Sequence, residues 1–475
     1  MRAKQLQQLA ERLTRELATA MERLATAMER IAQLEAEVSA LKAKLAENSS
    51  NSHKPPSSDP PESERPKKEP SGLKPGGQPG HPKHERRFLP PDRAVVLKPE
   101  SCAHCHHALH GDDAKPERHQ VVEIPRVKAD VTDYWLHTLM CPSCGEATRA
   151  ELPPGVPRRG FGPRLTAMIS ICTGKFRMSK RMVRELLADF LGVELSLGSV
   201  SNLEQEISAS LAAPDQEARS EVRKAGLANL DETGWFQGTA DGRARRAWLW
   251  VGVTAAATIF KIAFSRGEDV AKEILGTDWR GLLGSDRWSG YLWVPARLRQ
   301  LCWSHLLRDF QGFVDRKDSG APIGRRLLAL SEQMFAWWRK VRTGTLRRES
   351  FRRYMAPVKK EIVSLLREAA ACPAPKTAGM AKQILKLQPA LFTFVEHAGI
   401  EPTNNSAERA VRHAVMYRKT SFGTHSDAGS RFVERILTTI ATLRQQKRNV
   451  LEFVADAYQA RLLRIQPPSL LPAKR

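Results

Sequence analysis

Between Gly226 and Phe310 the apolar pattern switches from a helical period to a strand period and back, and this stretch limits the possible folds most. Leu227 to Leu230, Ala247 to Val253 and Thr258 to Phe264 read as three successive strands. A helix is expected at Glu268 to Leu275, a strand at Gly281 to Gly284 running into Ser285-Asp286, and a helix at Leu301 to Phe310. Three strands, a helix, a strand and a helix make a mixed α/β layer. Open α/β sheets place their sites beyond strand ends, and two of these strands are expected to end on an aspartate, Asp231 and Asp286.

A third carboxylate, Glu408, follows much later in Asn404-Asn405-Ser-Ala-Glu408-Arg409. Taken singly, each acid has an ordinary reading. The aspartates suit turns or caps, while Glu408 fits a capping box with Asn405 or an ion pair with Arg412. Charge changes the weighing. The chain carries 75 lysines and arginines against 52 acidic residues, a net +23, which points to a polyanionic partner such as nucleic acid or an acidic membrane surface. Three carboxylates from separate elements in so basic a chain suit two Mg²⁺ ions about 3.5–4 Å apart, because hard cations take oxygen ligands. Two strand aspartates and an acid on a later helix, in that order, are what an RNase H-like two-metal site requires. Glu232 should face away from Asp231 if the strand continues, so its removal should be much milder.

Outside this core the chain is modular. Residues 3 to 45 hold six heptads without Pro or Gly, with Leu17, Leu24, Ile31, Val38 and Leu45 among the a positions and Leu6, Leu13, Leu34 and Leu41 among the d positions. A helix of that length, roughly 65 Å, cannot bury its stripe alone, so self-association is expected. From 47 to 93 the composition turns to Asn, Ser, Pro, Lys and Gly, which cannot build a core; it is a tether or a basic arm tracking a phosphate backbone. Cys102-Ala-His-Cys105 and Cys141-Pro-Ser-Cys144 supply four thiolates for structural zinc, with redox chemistry the rival reading. Val121 to Ile124 and Val131 to Leu139 between them alternate like the strands of a zinc ribbon. Ser179 can cap a helix from Lys180 to Phe190 that Gly192 stops, and Ser199 can cap the next. With Lys175, Arg177, Lys180, Arg181 and Arg184 nearby, this pair is either a DNA-reading helix-turn-helix or a plain helical hairpin.

The chain is thus expected to be multidomain, α/β plus α. The expected units are a coiled coil at 1–46, a disordered basic linker at 47–93, a zinc-binding module at 94–155 and a helical DNA-binding region at 156–225. An RNase H-like core follows at 226–314, interrupted by a helical insertion at 315–402 and completed at 403–475. The longest apolar run, Ala247 to Phe260, is too short to span a bilayer, and the N-terminus lacks an export signal, so no membrane role and a cytoplasmic location are expected.

The segment Asn48 to Asp59, Gly76-Gly-Gln-Pro-Gly-His81, both cysteine knuckles, Asp231-Glu-Thr-Gly-Trp235, Cys302-Trp-Ser-His305, the Asn404 to Arg409 segment and Arg418-Lys419 together resemble the DDE transposases of the IS66 insertion-sequence family. One departure is visible: a Gly-Tyr is expected after the second aspartate, whereas this chain reads Arg287-Trp-Ser-Gly-Tyr291. The resemblance implies metal-dependent cleavage at the ends of an insertion sequence and strand transfer into target DNA. Asp231, Asp286 and Glu408 would be the catalytic acids holding Mg²⁺ or Mn²⁺. It also implies a bacterial protein associated with the nucleoid when bound, and small accessory proteins encoded beside it. His305 is assigned either an approach to the scissile phosphate or a structural role. The competing class is a dimeric, zinc-containing DNA-binding regulator without catalysis.

Overall fold

A computed structural model describes residues 2–45, 47–52, 87–125, 127–238 and 243–472. Most of the linker therefore lies outside the described residues. Helix α1 (Arg2–Leu45) is continuous, as the heptads require, and its seam is bare: Leu13, Leu17, Leu24, Ile31, Leu34, Val38 and Leu41 are 43–62% exposed. Strands β1 (Thr138–Met140) and β2 (Ala147–Arg149) pair antiparallel around the second cysteine knuckle. No strand forms at Val121 to Ile124, and only the last residues of the 131–139 run join one. Val121, Ile124 and Val131 stand largely exposed, with no second layer to bury an alternating face.

Four helices follow: α2 (Pro163–Gly174), α3 (Lys180–Leu191), α4 (Leu197–Ser210) and α5 (Ala212–Lys224). Ser179 caps α3 by accepting from Met182 N–H, and Gly192 ends it at φ +64°, where a residue without Cβ is unstrained. Ser196, not Ser199, caps α4; its hydroxyl accepts from Ser199 N–H, so the helix begins three residues earlier than expected.

The centre is a mixed five-stranded sheet. Its strands are β3 (Leu227–Gly238), β4 (Ala244–Val253), β5 (Thr258–Ala263), β6 (Leu282–Ser285) and β7 (Arg299–Leu301), with α6 (Glu268–Leu275) between β5 and β6. The order is β5-β4-β3-β6-β7; β3, β4 and β5 pair antiparallel, while β6 and β7 run parallel to β3. The sequence pattern missed β7, a three-residue strand carrying the fully buried polar pair Arg299 and Gln300. Helix α7 (Trp303–Asp315) follows it, then α8 (Ala321–Arg342), α9 (Arg348–Ala371), α10 (Pro375–Leu385) and α11 (Thr393–Glu396). These gather a second apolar core around Trp303, Phe310, Phe351 and Phe394. Helices α12 (Asn405–Ser421), α13 (Asp427–Gln445) and α14 (Val450–Leu463) return to the sheet. Their Ala407, Ile436, Ile440 and Tyr458 share the first core with Trp235, Trp250 and Phe260, and with Ala167 of α2 and Val222 of α5. No described helix is long and apolar enough to cross a membrane.

An edge strand exposes unpaired N–H groups, and β5 has its edge satisfied by side chains of α13. Thr442 Oγ1 accepts from Thr258 N–H (3.1 Å), Thr438 Oγ1 from Phe260 N–H (3.0 Å), and Glu434 from Ile262 N–H. Residues four apart on one helix face thus meet residues two apart on the strand. Thr438→Val keeps the shape and removes the acceptor from a buried N–H, and is expected to cost about 1–3 kcal/mol in chemical denaturation. Wild-type stability in that variant would show that the ladder does not hold the edge.

Candidate active site

The two aspartates are placed by strand register. Strands β3 and β6 pair from Leu227↔Leu282 to Asn229↔Gly284. Extended by two residues, the same register sets Asp231 against Asp286, the first residue after β6. Asp231 does not end its strand, as the sequence suggested. Strand β3 runs on against β4 as far as Gly238↔Ala244, because Trp235 and Gln237 continue the buried alternation beyond the acid. What ends near Asp231 is the parallel half of the pairing.

The loop after β6 is tied down around Asp286. Its Oδ1 accepts from Trp288 N–H (2.8 Å), and its carbonyl accepts from Ser285 Oγ and from Arg299 Nη2, both at 2.9 Å. Arg299 is fully buried, and burial lowers its guanidinium to about 10.

Glu408 arrives in the first turn of α12, and Asn404 positions that turn. Its carbonyl accepts from Glu408 N–H (3.0 Å), but its side chain does not cap the helix. Instead Asn404 Nδ2 donates to Leu230 C=O (2.6 Å), Oδ1 accepts from Asn229 Nδ2 (2.9 Å), and its backbone N–H points at Cys302 Sγ (3.2 Å). The expected Asn405–Glu408 capping box does not form. Glu408 faces Cys302 and His305 rather than Arg412: its Oε1 lies 3.4 Å from Cys302 Sγ and 3.6 Å from His305 Nδ1. Asn404 is the residue sequence reasoning missed; the signal was a second Asn directly ahead of a helix start.

The acids feel one another. Burial first, then the charges of Glu232, Asp286 and Glu408, hold the Asp231 carboxyl well above the usual carboxylate range. Glu232 is also raised, by burial and then by Asp286, against the pull of Tyr291 and Arg266. Glu232 points off the Asp231 face as expected, but it is no bystander. Its side chain is 2% exposed, receives Arg266 Nε at 2.9 Å and Nη2 at 2.8 Å, and accepts from Tyr291 O–H. Arg266 in turn lies over the Trp288 ring, 3.7 Å from its centroid. The Arg287 to Tyr291 segment, where the sequence departs from the expected pattern, is therefore anchored to β3 through Glu232. Asp231, Asp286 and Glu408 do not draw their oxygens into one cluster within 4.8 Å, but the charges of Asp286 and Glu408 both reach the Asp231 carboxyl, and a hard divalent cation would relieve that repulsion.

The two cysteine knuckles share one local geometry. Cys102 N–H donates to His107 C=O (2.9 Å) and accepts on its carbonyl from His106 N–H (3.0 Å). Cys141 does the same with Glu146 (2.8 Å) and Gly145 (2.9 Å). His106 and Gly145 close the turns at φ +59° and +77°. In each, backbone N–H groups aimed at the first thiol lower its pKa, those of Cys105 and His104 for Cys102 and those of Cys144 and Ser143 for Cys141. The four sulfurs are not gathered into one tetrahedron. Among the described residues, the one group of at least three metal-ligating side chains within 4.8 Å of one another is Cys302, His305 and Glu408.

A family model described as the transposase IS66 family matches residues 159–431, a span holding Asp231, Asp286, Cys302, His305 and Glu408. A second, described as a family of unknown function (DUF6444), matches residues 3–87. No curated protein matches the chain.

Two measurements follow from this geometry. Asn404→Asp preserves shape but cannot donate to Leu230 C=O, and is expected to lose about 1–3 kcal/mol in denaturation; an unchanged midpoint would remove Asn404 from its organising role. For Asp231, a folded-state pKa above the unfolded one means the ionised carboxylate detracts from stability, increasingly as pH rises from the ordinary carboxylate range. In chelator at pH 7, Asp231→Asn should therefore unfold about 2–4 °C higher than wild type, with the gain vanishing at acid pH. A gain independent of pH would show that repulsion among the acids is not its source.

Proposed function

The chain belongs to the transposase IS66 family, and from that premise we propose that it is a DDE-type enzyme that cleaves DNA at insertion-sequence ends and transfers the strand into target DNA. The observation that supports the reading is the β3–β6 register, which continued by two residues sets Asp231 opposite Asp286, together with the Glu408 charge acting on Asp231 and the Asn404 tie from the start of α12 to Leu230. The strand order β5-β4-β3-β6-β7, antiparallel for the first three and parallel for the rest, supports an RNase H-like core. Helices α8 to α11 are its insertion.

Asp231, Asp286 and Glu408 would hold Mg²⁺ or Mn²⁺, whose bound chemistry is to activate the attacking hydroxyl and stabilise the leaving oxygen of an in-line displacement. The remaining work belongs to the chain. Arg299 and Trp288 N–H fix the Asp286 loop, Glu232 with Arg266 and Tyr291 braces it against β3, and His305 orients the Glu408 carboxylate at the edge where a phosphate would approach. The net charge of +23 supports DNA as the partner, both the terminal inverted repeats and the target. Of the five basic residues at this hairpin, Lys175 is buried at the end of α2, Lys180 is engaged by Glu204 (2.9 Å) and Arg177 is half-buried, so Arg181 and Arg184, both exposed on α3, are the best placed to meet phosphate. The bare seam of α1 would pair copies of the chain, and the two knuckles would close around Zn²⁺. Acting on DNA, the protein would work in the bacterial cytoplasm on the nucleoid, with any accessory proteins encoded beside it.

The test is cleavage and joining of a DNA substrate carrying the element's ends, with Asp231→Asn, Asp286→Asn and Glu408→Gln. Each should lose more than the ~10–100-fold that disturbing a supporting contact costs, while Glu232→Gln should fall within that range. Wild-type activity in any of the three would remove that acid from the site. DNA binding without divalent-dependent joined product would favour the regulator instead.

A further inference from the structure

We propose that Cys302, His305 and Glu408 form a second cation site, selective for a borderline divalent metal such as Zn²⁺, which shares Glu408 with the acid triad. Zinc bonds of about 2.0–2.3 Å at tetrahedral angles set ligand atoms roughly 3.3–3.5 Å apart. The measured separations are 3.4 Å from Cys302 Sγ to Glu408 Oε1 and 3.6 Å from His305 Nδ1 to the same oxygen. All three ligand atoms lie within 4.8 Å of one another. Both edges that meet at Glu408 are thus close to those of a coordination tetrahedron, and the third edge, Cys302 to His305, lies within 4.8 Å.

The ligands sit on fixed elements. Cys302 is the N-cap residue of α7 and His305 lies in its first turn, so both face one side. Glu408 lies in the first turn of α12. The two helix starts are joined through Asn404 N–H to Cys302 Sγ (3.2 Å) and Trp303 N–H to Pro402 C=O (2.9 Å). Without a cation, burial and the Glu408 charge push the Cys302 thiol up to about 12, while the N–H groups of Asn404, His305 and Ser304 act in the opposite sense. A cation replaces the thiol proton, which leaves to solvent, and those N–H groups then stabilise the thiolate. Thiolate and imidazole select zinc over Mg²⁺, unlike the all-oxygen set of Asp231 and Asp286.

The consequence rests on the function proposed above. Zn²⁺ bound here would draw Glu408 away from the aspartates, so micromolar zinc would inhibit Mg²⁺-dependent DNA cleavage.

Binding is tested on the full chain without DNA. Zn²⁺ and Cd²⁺ are titrated in excess Mg²⁺, following bound equivalents and the cadmium–thiolate absorption. Wild type is compared with Cys302→Ser, His305→Gln and Glu408→Gln, the knuckle cysteines intact in all. Each variant should lose one equivalent or bind it at least tenfold more weakly, and Cys302→Ser should lose its share of the thiolate band. Cys102→Ser with Cys141→Ser should remove only the knuckle equivalent. Circular dichroism identifies any variant that fails to fold, in which case the other two decide. Equal stoichiometry and affinity in the folded variants would overturn the site and leave a thiol and an imidazole merely hydrogen-bonded to Glu408. Zinc binding in a chain inactive on DNA would keep the site and sink the transposase chemistry. An active chain that ignores zinc would do the reverse.

Discussion

The side chain of Asn404 is the contact on which the arrangement of acids depends. Only an amide serves there, because one end must donate to Leu230 C=O while the other accepts from Asn229 Nδ2. Aspartate lacks the donor and leucine lacks both. The same residue's N–H reaches Cys302 and its carbonyl receives Glu408 N–H, so strand β3 and helices α7 and α12 meet at one buried residue, 1% exposed. A fully satisfied polar knot of this kind admits one relative placement of its elements, since any shift strands a buried donor or acceptor. That is how an acid five helices further along the chain comes within reach of the Asp231 carboxyl. The start of α7 and the approach to α12 are fastened together here, Trp303 N–H donating to Pro402 C=O.

Strand β3 does two jobs along its length. Its first residues pair in parallel with β6, and from Asn229 onward its other edge carries the long antiparallel ladder with β4. Asp231 sits just past the last parallel pair, where β6 has turned into the Asp286 loop. In open α/β sheets ligands are taken beyond the ends of parallel strands such as β6. At the far side of the sheet the problem is the opposite one, a strand with an unpaired edge. There α13 lays Glu434, Thr438 and Thr442 along β5, so the sheet is closed by side chains rather than by another strand.

What the sequence made legible were features in which local chemistry and burial agree. Ser179 and Gly192 bracket α3, the pattern at Glu268 to Leu275 is α6 residue for residue, and β4 and β5 carry strong apolar runs. Illegible were features decided by distant partners. Strand β7 has only three residues, and its buried Arg299 and Gln300 look like surface loop until one sees Arg299 holding Asp286 and Gln300 Oε1 accepting from Phe394 N–H. The alternation at Val121 to Ile124 and Val131 to Leu139 promised strands, yet with nothing to cover one face only its last residues, Thr138 and Leu139, pair in β1. Asn405 and Glu408 fit a capping box by spacing, but the acid was claimed by Cys302 and His305 across the fold. Glu232 was expected to turn off the Asp231 face, but its pairing with Arg266 and Tyr291 was not legible, because a strand's period says where a side chain points and not what waits there.

The fate of Glu232 bears on how a basic chain keeps a cluster of carboxylates. Adjacent residues of one strand, Asp231 and Glu232, both lose solvent and both feel Asp286, and the Glu232 charge further raises the cost of ionising Asp231. Only one of them is compensated by protein. Arg266 and Tyr291 neutralise Glu232 on its own side, with the Arg266 guanidinium stacked on Trp288 and over Trp248 at 4.6 Å. Asp231 receives only Glu232 N–H, at 3.0 Å. A fold selected for stability alone would have supplied it a cation too. An uncompensated buried carboxylate next to a fully paired one is what the proposed metal role of Asp231 would require, since a bound cation would supply the missing charge.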